Sequence, residues 1–126
     1  MPPKPVSVLI HIVEDDQAIR ESLKLLLETR GYEVDAFESG EELLARGDNA
    51  RCTCVVLDVN LPGANGFEVL TKLRQRGVNT PAIFMSGRAD PSMQVQAERA
   101  NAIAFFAKPV PPSALLTAIA RATAHT

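Results

Sequence analysis

Glu14, Asp15, Asp58, Ser86 and Lys108 are the residues of this chain equipped for joint chemistry, because each follows a short apolar run. Glu14 and Asp15 come after Val8-Leu9-Ile10-His11-Ile12-Val13, and Asp58 after Cys52 to Leu57. Ser86 follows Ala82-Ile83-Phe84-Met85, and Lys108 lies just past Ile103-Ala104-Phe105-Phe106. Groups at the carboxyl ends of parallel strands meet in the crevice where open α/β sheets bind ligands. If the first and third strands are neighbours, as right-handed βαβ crossovers permit, three carboxylates converge. Two carboxylates ~5 Å apart at an effective dielectric of ~20 repel by about 3 kcal/mol, so three of them need a cation or a proton. A divalent metal meets that need. An all-oxygen set with no His or Cys nearby selects a hard ion such as Mg²⁺, with Mn²⁺ as the alternative, and Mg²⁺ leaves coordination positions for a phosphate. Lys108 then offers a positive charge and Ser86 a hydroxyl to phosphoryl oxygens, while Asp58 is placed to act as a nucleophile forming an acyl phosphate.

Taken singly, each group has a plainer reading. A strand-end Asp caps a helix or meets solvent, an acidic pair before a helix is a cap, and apolar-Lys-Pro is a turn. Their joint occurrence, in this order at four strand ends, favours the chemical reading.

The elements that must position these residues are legible from periodicity. Five apolar runs of strand length each precede a segment of helical spacing, which implies βα units and a parallel sheet. The first run, Val6 to Val13, is followed by a helix with Ile19, Leu23, Leu26 and Leu27 on one face, ending at Arg30-Gly31. Glu33 to Phe37 is a short second strand, and Ser39-Gly40-Glu41-Glu42 opens a small surface helix with Leu43 and Leu44 inward. After the third strand, Cys52 to Leu57, comes the Pro62-Gly63 loop and a helix over Gly66 to Arg76. The fourth strand, Pro81 to Met85, leads to the least amphipathic helix, Pro91 to Ala100, whose packing should be loosest. Ile103 to Phe106 is the fifth strand, and Pro112 is suited to open the last helix. Cys52 and Cys54, two apart in a strand, should point to the same face as small buried apolar residues.

With 126 residues, 46% hydrophobic and 22% charged, one soluble domain is expected. Residues 1–5 read as a disordered tail, 6–124 as the domain and 125–126 as its end. The net charge of −2 without a basic stripe argues against direct nucleic-acid binding. No apolar stretch approaches the ~20 residues of a membrane span, and Met1-Pro2-Pro3-Lys4-Pro5 lacks the apolar core of a signal peptide, so a cytoplasmic location is expected.

Together, His11-Ile12-Val13-Glu14-Asp15-Asp16, Val55 to Gly63, Phe84-Met85-Ser86-Gly87 and Phe106-Ala107-Lys108-Pro109 resemble the receiver domain of bacterial two-component response regulators, from Val6 to about Ala124. The resemblance implies a doubly wound, flavodoxin-like α/β fold: five parallel strands in order 2-1-3-4-5 with five helices. It implies that a sensor histidine kinase or histidine phosphotransfer protein passes a phosphoryl group to Asp58 with Mg²⁺. Asp15 resembles the direct metal ligand and Glu14 its water-linked partner, with Asp58 and the main-chain carbonyl of Asn60 completing the protein's share. Ser86 and Lys108 would contact the phosphoryl oxygens, and Ser86 with Phe105 would form the switch, Phe106 being core. The Lys108-Pro109 bond resembles one that is cis in the family. The output would be a protein target or a second copy docked on the face of the fourth helix, fifth strand and fifth helix.

Three positions depart from the common pattern. Asn101 stands where Gly is common, although Asn also accepts the left-handed helix stop. Glu14 replaces an Asp, and Arg88, two past Ser86, lies at the approach to the phosphoryl group, as a modulator of dephosphorylation or as a solvated loop arginine. Such a protein is no enzyme beyond Mg²⁺-dependent self-phosphorylation from small donors and slow autodephosphorylation. A haloacid-dehalogenase-type phosphohydrolase fits poorly, because Asn60 replaces the acid expected two after its nucleophile. A phosphate-independent scaffold, and the receiver part of a DNA-binding transcription regulator, stand as alternatives to a stand-alone receiver. His11 and His125 read as structural.

Overall fold

The computed structural model describes residues 8–47 and 49–124, so the expected tail, the start of the first strand at Val6 and His125 lie outside the described residues. Five strands, β1 Leu9–Val13, β2 Glu33–Phe37, β3 Cys54–Asp58, β4 Ala82–Ser86 and β5 Ala104–Ala107, form one parallel sheet in the order β2-β1-β3-β4-β5. Helices α1 Gln17–Thr29, α2 Gly40–Leu44, α3 Gly66–Gln75, α4 Pro91–Arg99 and α5 Pro112–Thr123 make the crossovers. The expected class and strand order therefore hold.

Side-chain alternation divides the interior into two layers. Val13, Val55, Leu57 and Phe84 face one way, onto Leu43 of α2, Val69, Leu70 and Leu73 of α3 and Ala97 of α4. Ile10, Ile12, Val56, Ile83 and Met85 face the other way, onto Leu27 of α1 and Leu115 and Ile119 of α5.

Side chains fix where the helices start. Asp16, Ser39, Asn65 and Asp90 each accept the backbone N–H three residues on, at 3.0, 3.1, 2.9 and 3.0 Å. In α3 the cap is reciprocal, since Glu68 also accepts the Asn65 N–H at 3.0 Å. Positive φ occurs beyond the helix ends at Gly31, Gly77 and Asn101, the last at 58°, so asparagine takes the left-handed stop as its sequence position suggested.

Two expectations need correction. Cys52 lies against the α2–α4 layer and Cys54 against the α1–α5 layer, rather than on one face. The cause is a 3₁₀ turn, Asn49–Arg51, whose Asn49 carbonyl accepts the Cys52 N–H at 3.3 Å; alternation begins only at Cys54. The last three strands also run one residue past their apolar stretches, because parallel hydrogen bonding continues through Asp58, Ser86 and Ala107. The catalytic candidates Asp58 and Ser86 thus sit inside strands, held by the ladder.

Candidate functional site

The chain steps from β1 outward to β2, then crosses back over β1 to β3, so strand order reverses between β1 and β3. At that reversal the helices after β1 and β3 leave on opposite faces and open a crevice at the strands' carboxyl ends. Val13 pairs with Leu57, which sets Glu14 beside Asp58. Carboxylate oxygens of Glu14, Asp15 and Asp58 lie within 4.8 Å of one another. Glu14 is 0% and Asp58 2% exposed, whereas Asp15 faces solvent. The capping reading falls to Asp16, which caps α1 and leaves the acids before it available.

Lys108 reaches in from the end of β5. Its ammonium donates to Glu14 Oε1 and, at 3.1 Å, to Asp58 Oδ2, so one cation bridges two buried carboxylates. Burial pushes the Glu14 carboxyl up to about 7, against the opposing hydrogen bonds from Lys108 and the Asp16 N–H, the latter 3.2 Å long. Burial alone would lower the Lys108 ammonium; its hydrogen bonds to Glu14 and Asp58 outweigh that and hold it above its ordinary value. The lysine keeps its charge while Glu14 exchanges a proton near neutrality.

Ser86 is fully buried beside this trio. Its hydroxyl donates to Asn60 Oδ1 and accepts the Arg88 N–H at 3.0 Å. The Asn60 N–H in turn donates to Asp58 Oδ1 at 3.1 Å. Asn60 therefore links Asp58 to Ser86, a side-chain role that its sequence position did not disclose. Arg20 was also missed: its guanidinium donates to the Glu14 carbonyl at 2.8 Å and so braces the acidic turn. A helix arginine one turn after the acidic run was the available signal. Arg88 lines the open cleft with Asp15, Asn60 and Met93. Phe105 is half-buried in the α2–α4 layer, opposite Phe84 in register, and Phe106 belongs to the other layer. The Lys108–Pro109 bond is cis.

His11 is fully buried in β1, its ring edge-on to Phe37 at 5.3 Å and its Nε2 3.7 Å from Asp35 Oδ2. It stands apart from the acidic site, in keeping with a structural role.

Set beside known proteins, residues 10–120 match the family model described as the response regulator receiver domain. The chain is 36% identical over 115 residues to the transcriptional regulatory protein FixJ of Azorhizobium caulinodans, covering 91% of this chain and 54% of that protein. It is 40% identical over 111 residues to the response regulator protein TmoT of Ectopseudomonas mendocina, covering 88% and 50%. This chain thus spans about half the length of these curated relatives. Among solved structures, a CheY-like receiver domain protein from Methanospirillum hungatei superposes with a TM-score of 0.86 at 34% identity, covering 94% of each chain. The structure titled FixJ-N does so with 0.85 at 33% identity, covering 95% of this chain and 96% of that one.

Proposed function

The chain belongs to the response regulator receiver domain family, the receivers of two-component signalling, and from that premise we propose that Asp58 accepts a phosphoryl group from the phosphohistidine of a sensor kinase or phosphotransfer protein. The observation that carries this reading is the Lys108 ammonium bridging Asp58 and Glu14 at the strand-order reversal. An Asp58 carboxylate oxygen forms the bond to phosphorus as the bond from phosphorus to the histidine nitrogen breaks. The departing electron pair stays on that nitrogen, and a proton on the other ring nitrogen of the phosphohistidine makes the leaving group a neutral imidazole; no general base is required, because a carboxylate nucleophile has no proton to lose. Lys108 shifts from the carboxylates toward the incoming phosphoryl oxygens. Ser86 must exchange its bond to Asn60 for one to the phosphoryl group, which draws the β4–α4 loop inward.

The donor set suits Mg²⁺ or Mn²⁺, being carboxylate oxygens with no imidazole or thiolate among them. Asp15 and Asp58 would hold the ion directly, Glu14 through water, and Asn60 through its main-chain carbonyl. When bound, the ion neutralises charge on the carboxylates and the phosphoryl oxygens. Membership of this family does not make the chain a conventional enzyme. Self-phosphorylation from small phosphodonors and slow loss of the phosphoryl group are part of this proposal.

Output is assigned to the face of α4, β5 and α5, where Val95 and Ile103 stand 43% and 38% exposed, docking a protein target or a second copy of this chain. Receivers of the family work with histidine kinases.

The test is incubation with acetyl phosphate, with and without Mg²⁺, read by intact mass on the wild type and Asp58→Ala. A gain of one phosphoryl group that needs Mg²⁺ and disappears in Asp58→Ala supports the reading. No gain, together with failure to bind beryllofluoride, moves the conclusion to a phosphate-independent scaffold.

A further inference from the structure

A second cleft runs between α3 and α4 on the α2–α4 side of the sheet, adjoining the cleft lined by Asp15, Asn60 and Arg88, with which it shares Phe67 and Gln96. Phe67, Leu70 and Arg74 form one wall, and Gln96, Arg99 and Ala100 the other; no Asp or Glu lines it. It is an open groove of about 610 Å³, large enough for a small molecule to lie along it. In a chain of net charge −2, a cavity walled by two guanidinium groups and no carboxylate is a local reversal of sign.

Neither arginine has its charge answered by the protein. Arg74 spends Nη1 on the Val78 carbonyl at 2.9 Å, a neutral partner, and no carboxylate of the described residues forms an ion pair with it. Half-burial draws its guanidinium below its ordinary value, with the Cys52 thiol opposing. Arg99 is exposed and makes no hydrogen bond or ion pair with any described residue. Arg74 is thus a cation held partly out of water without a counter-charge, a cost that an anion relieves, while Arg99 stands in solvent with its donors open to the same ligand. The apolar part of the lining is the Phe67 ring, which packs on Phe84 at 4.6 Å, and the edge of the buried Leu70, with Thr71, Gln75 and Gln96 as polar neighbours.

We propose that this cleft binds a small organic anion whose apolar body lies on Phe67 and Leu70 and whose phosphate, phosphonate or carboxylate head is shared by Arg74 of α3 and Arg99 of α4. The two guanidinium groups stand on different helices, so an occupied cleft ties α4 to α3. Of the two, α4 is the helix with the smaller buried face, only Ala97 against four buried residues in α3. The ligand therefore restrains the more weakly anchored helix. Binding needs neither Asp58 nor a metal and stands apart from the proposed phosphotransfer.

Phenylphosphonate is the probe, because it carries a ring and a doubly ionisable head but no transferable phosphoryl group. It is titrated without Mg²⁺ into ¹⁵N-labelled wild type, Arg74→Gln and Arg99→Gln, with inorganic phosphate and benzyl alcohol as parallel arms. The expected result is saturable shifts of amides in residues 70–76 and 96–100. The affinity should fall about tenfold in each variant, the loss of one charge-assisted hydrogen bond of roughly 1.4 kcal/mol. Each parallel arm should bind more weakly than the probe. Absence of saturable shifts in these segments, an affinity unchanged in Arg99→Gln, or shifts confined to the Asp58 crevice overturns the proposal. Because Arg99 is exposed and makes no hydrogen bond or ion pair with any described residue, its variant remains informative if Arg74→Gln proves poorly folded.

Discussion

Lys108 is the residue on which the resting site depends, because it compensates two carboxylates that are almost wholly buried. Removing one partner of a buried ion pair costs about 3–5 kcal/mol when the other charge is stranded, so Lys108→Ala should unfold at lower urea by roughly that amount at pH 8 without metal. The loss should shrink at pH 5. Glu14 explains why: burial raises it from 4.5 to about 7 in the folded protein. Between those values the folded state keeps a proton that the unfolded chain has released. This contribution is fully present below the unfolded value and is lost as pH rises through 7, about 3 kcal/mol over the interval. Urea unfolding of metal-free wild type at several pH values should show stability falling over that range, and Glu14→Gln should flatten the slope. Equal slopes in the two proteins would refute the assignment. Mg²⁺ should restore stability most at pH 8, where Glu14 is ionised. At Arg88, the side chain lines the cleft beside Asn60. If it obstructs water, Arg88→Ala shortens the lifetime of the acyl phosphate several-fold; an unchanged half-life leaves it a solvated loop residue.

At the scale of elements, α3 shows how tightly site and fold are joined. A Cβ on Gly66 would stand 2.6 Å from the Asp58 carbonyl oxygen and 3.0 Å from Val59 Cα, both main chain, so the helix needs glycine here for space rather than for φ. Gly66→Ala should cost about 1–3 kcal/mol by overpacking, and should slow acetyl-phosphate labelling because the displaced backbone is that of Asp58, the proposed acceptor. Asn65→Ala removes the reciprocal cap and should cost about 1 kcal/mol while leaving labelling competent. Comparing urea midpoints with labelling rates separates the two. Gly66 also marks what a sequence conveys. Periodicity showed where α3 starts and which side of it is apolar, since those follow from local spacing. The Asp58 carbonyl beneath Gly66, the Asn60 amide joining Asp58 to Ser86, and the ammonium shared by Glu14 and Asp58 are contacts of three-dimensional geometry rather than of periodicity. They depend on register and rotamer, which one chain's spacing does not encode. That Asp58, Asp15, Glu14, Ser86 and Lys108 converge could nevertheless be read, because strand ends are readable and parallel order brings them together. Cys52 misled because a 3₁₀ turn broke the alternation that its neighbours obey.

Across the whole molecule, the helices are unequally anchored, and the proposed switch would follow from that inequality. α5 buries Leu115, Ala118, Ile119 and Ala122, and α3 buries four residues; α1 buries Leu27 with Ile19, Leu23 and Leu26 half-buried beside it, whereas α4 buries only Ala97, with Met93 half-buried, and exposes Val95. At roughly 25 cal/mol per Å² of apolar surface, so small a buried face gives α4 the least free energy against local opening. Turning a 1:99 population into 99:1 requires about 5.5 kcal/mol of differential binding. New charge-assisted bonds from Ser86 and Lys108 to a phosphoryl group can supply that only where the responding element is weakly held. α4 follows directly on the loop that Ser86 would pull, and Phe105 of β5 packs into the layer beneath it. Native-state hydrogen exchange should therefore give α4 the lowest opening free energy of α1, α3, α4 and α5. Beryllofluoride with Mg²⁺ should change α4 and β5 protection at least as much as that of the site's own loops, and the change should vanish in Asp58→Ala. If α4 instead exchanges as slowly as α3 and is unmoved by beryllofluoride, the signal must leave through another face, and the assignment of output to α4, β5 and α5 falls with it.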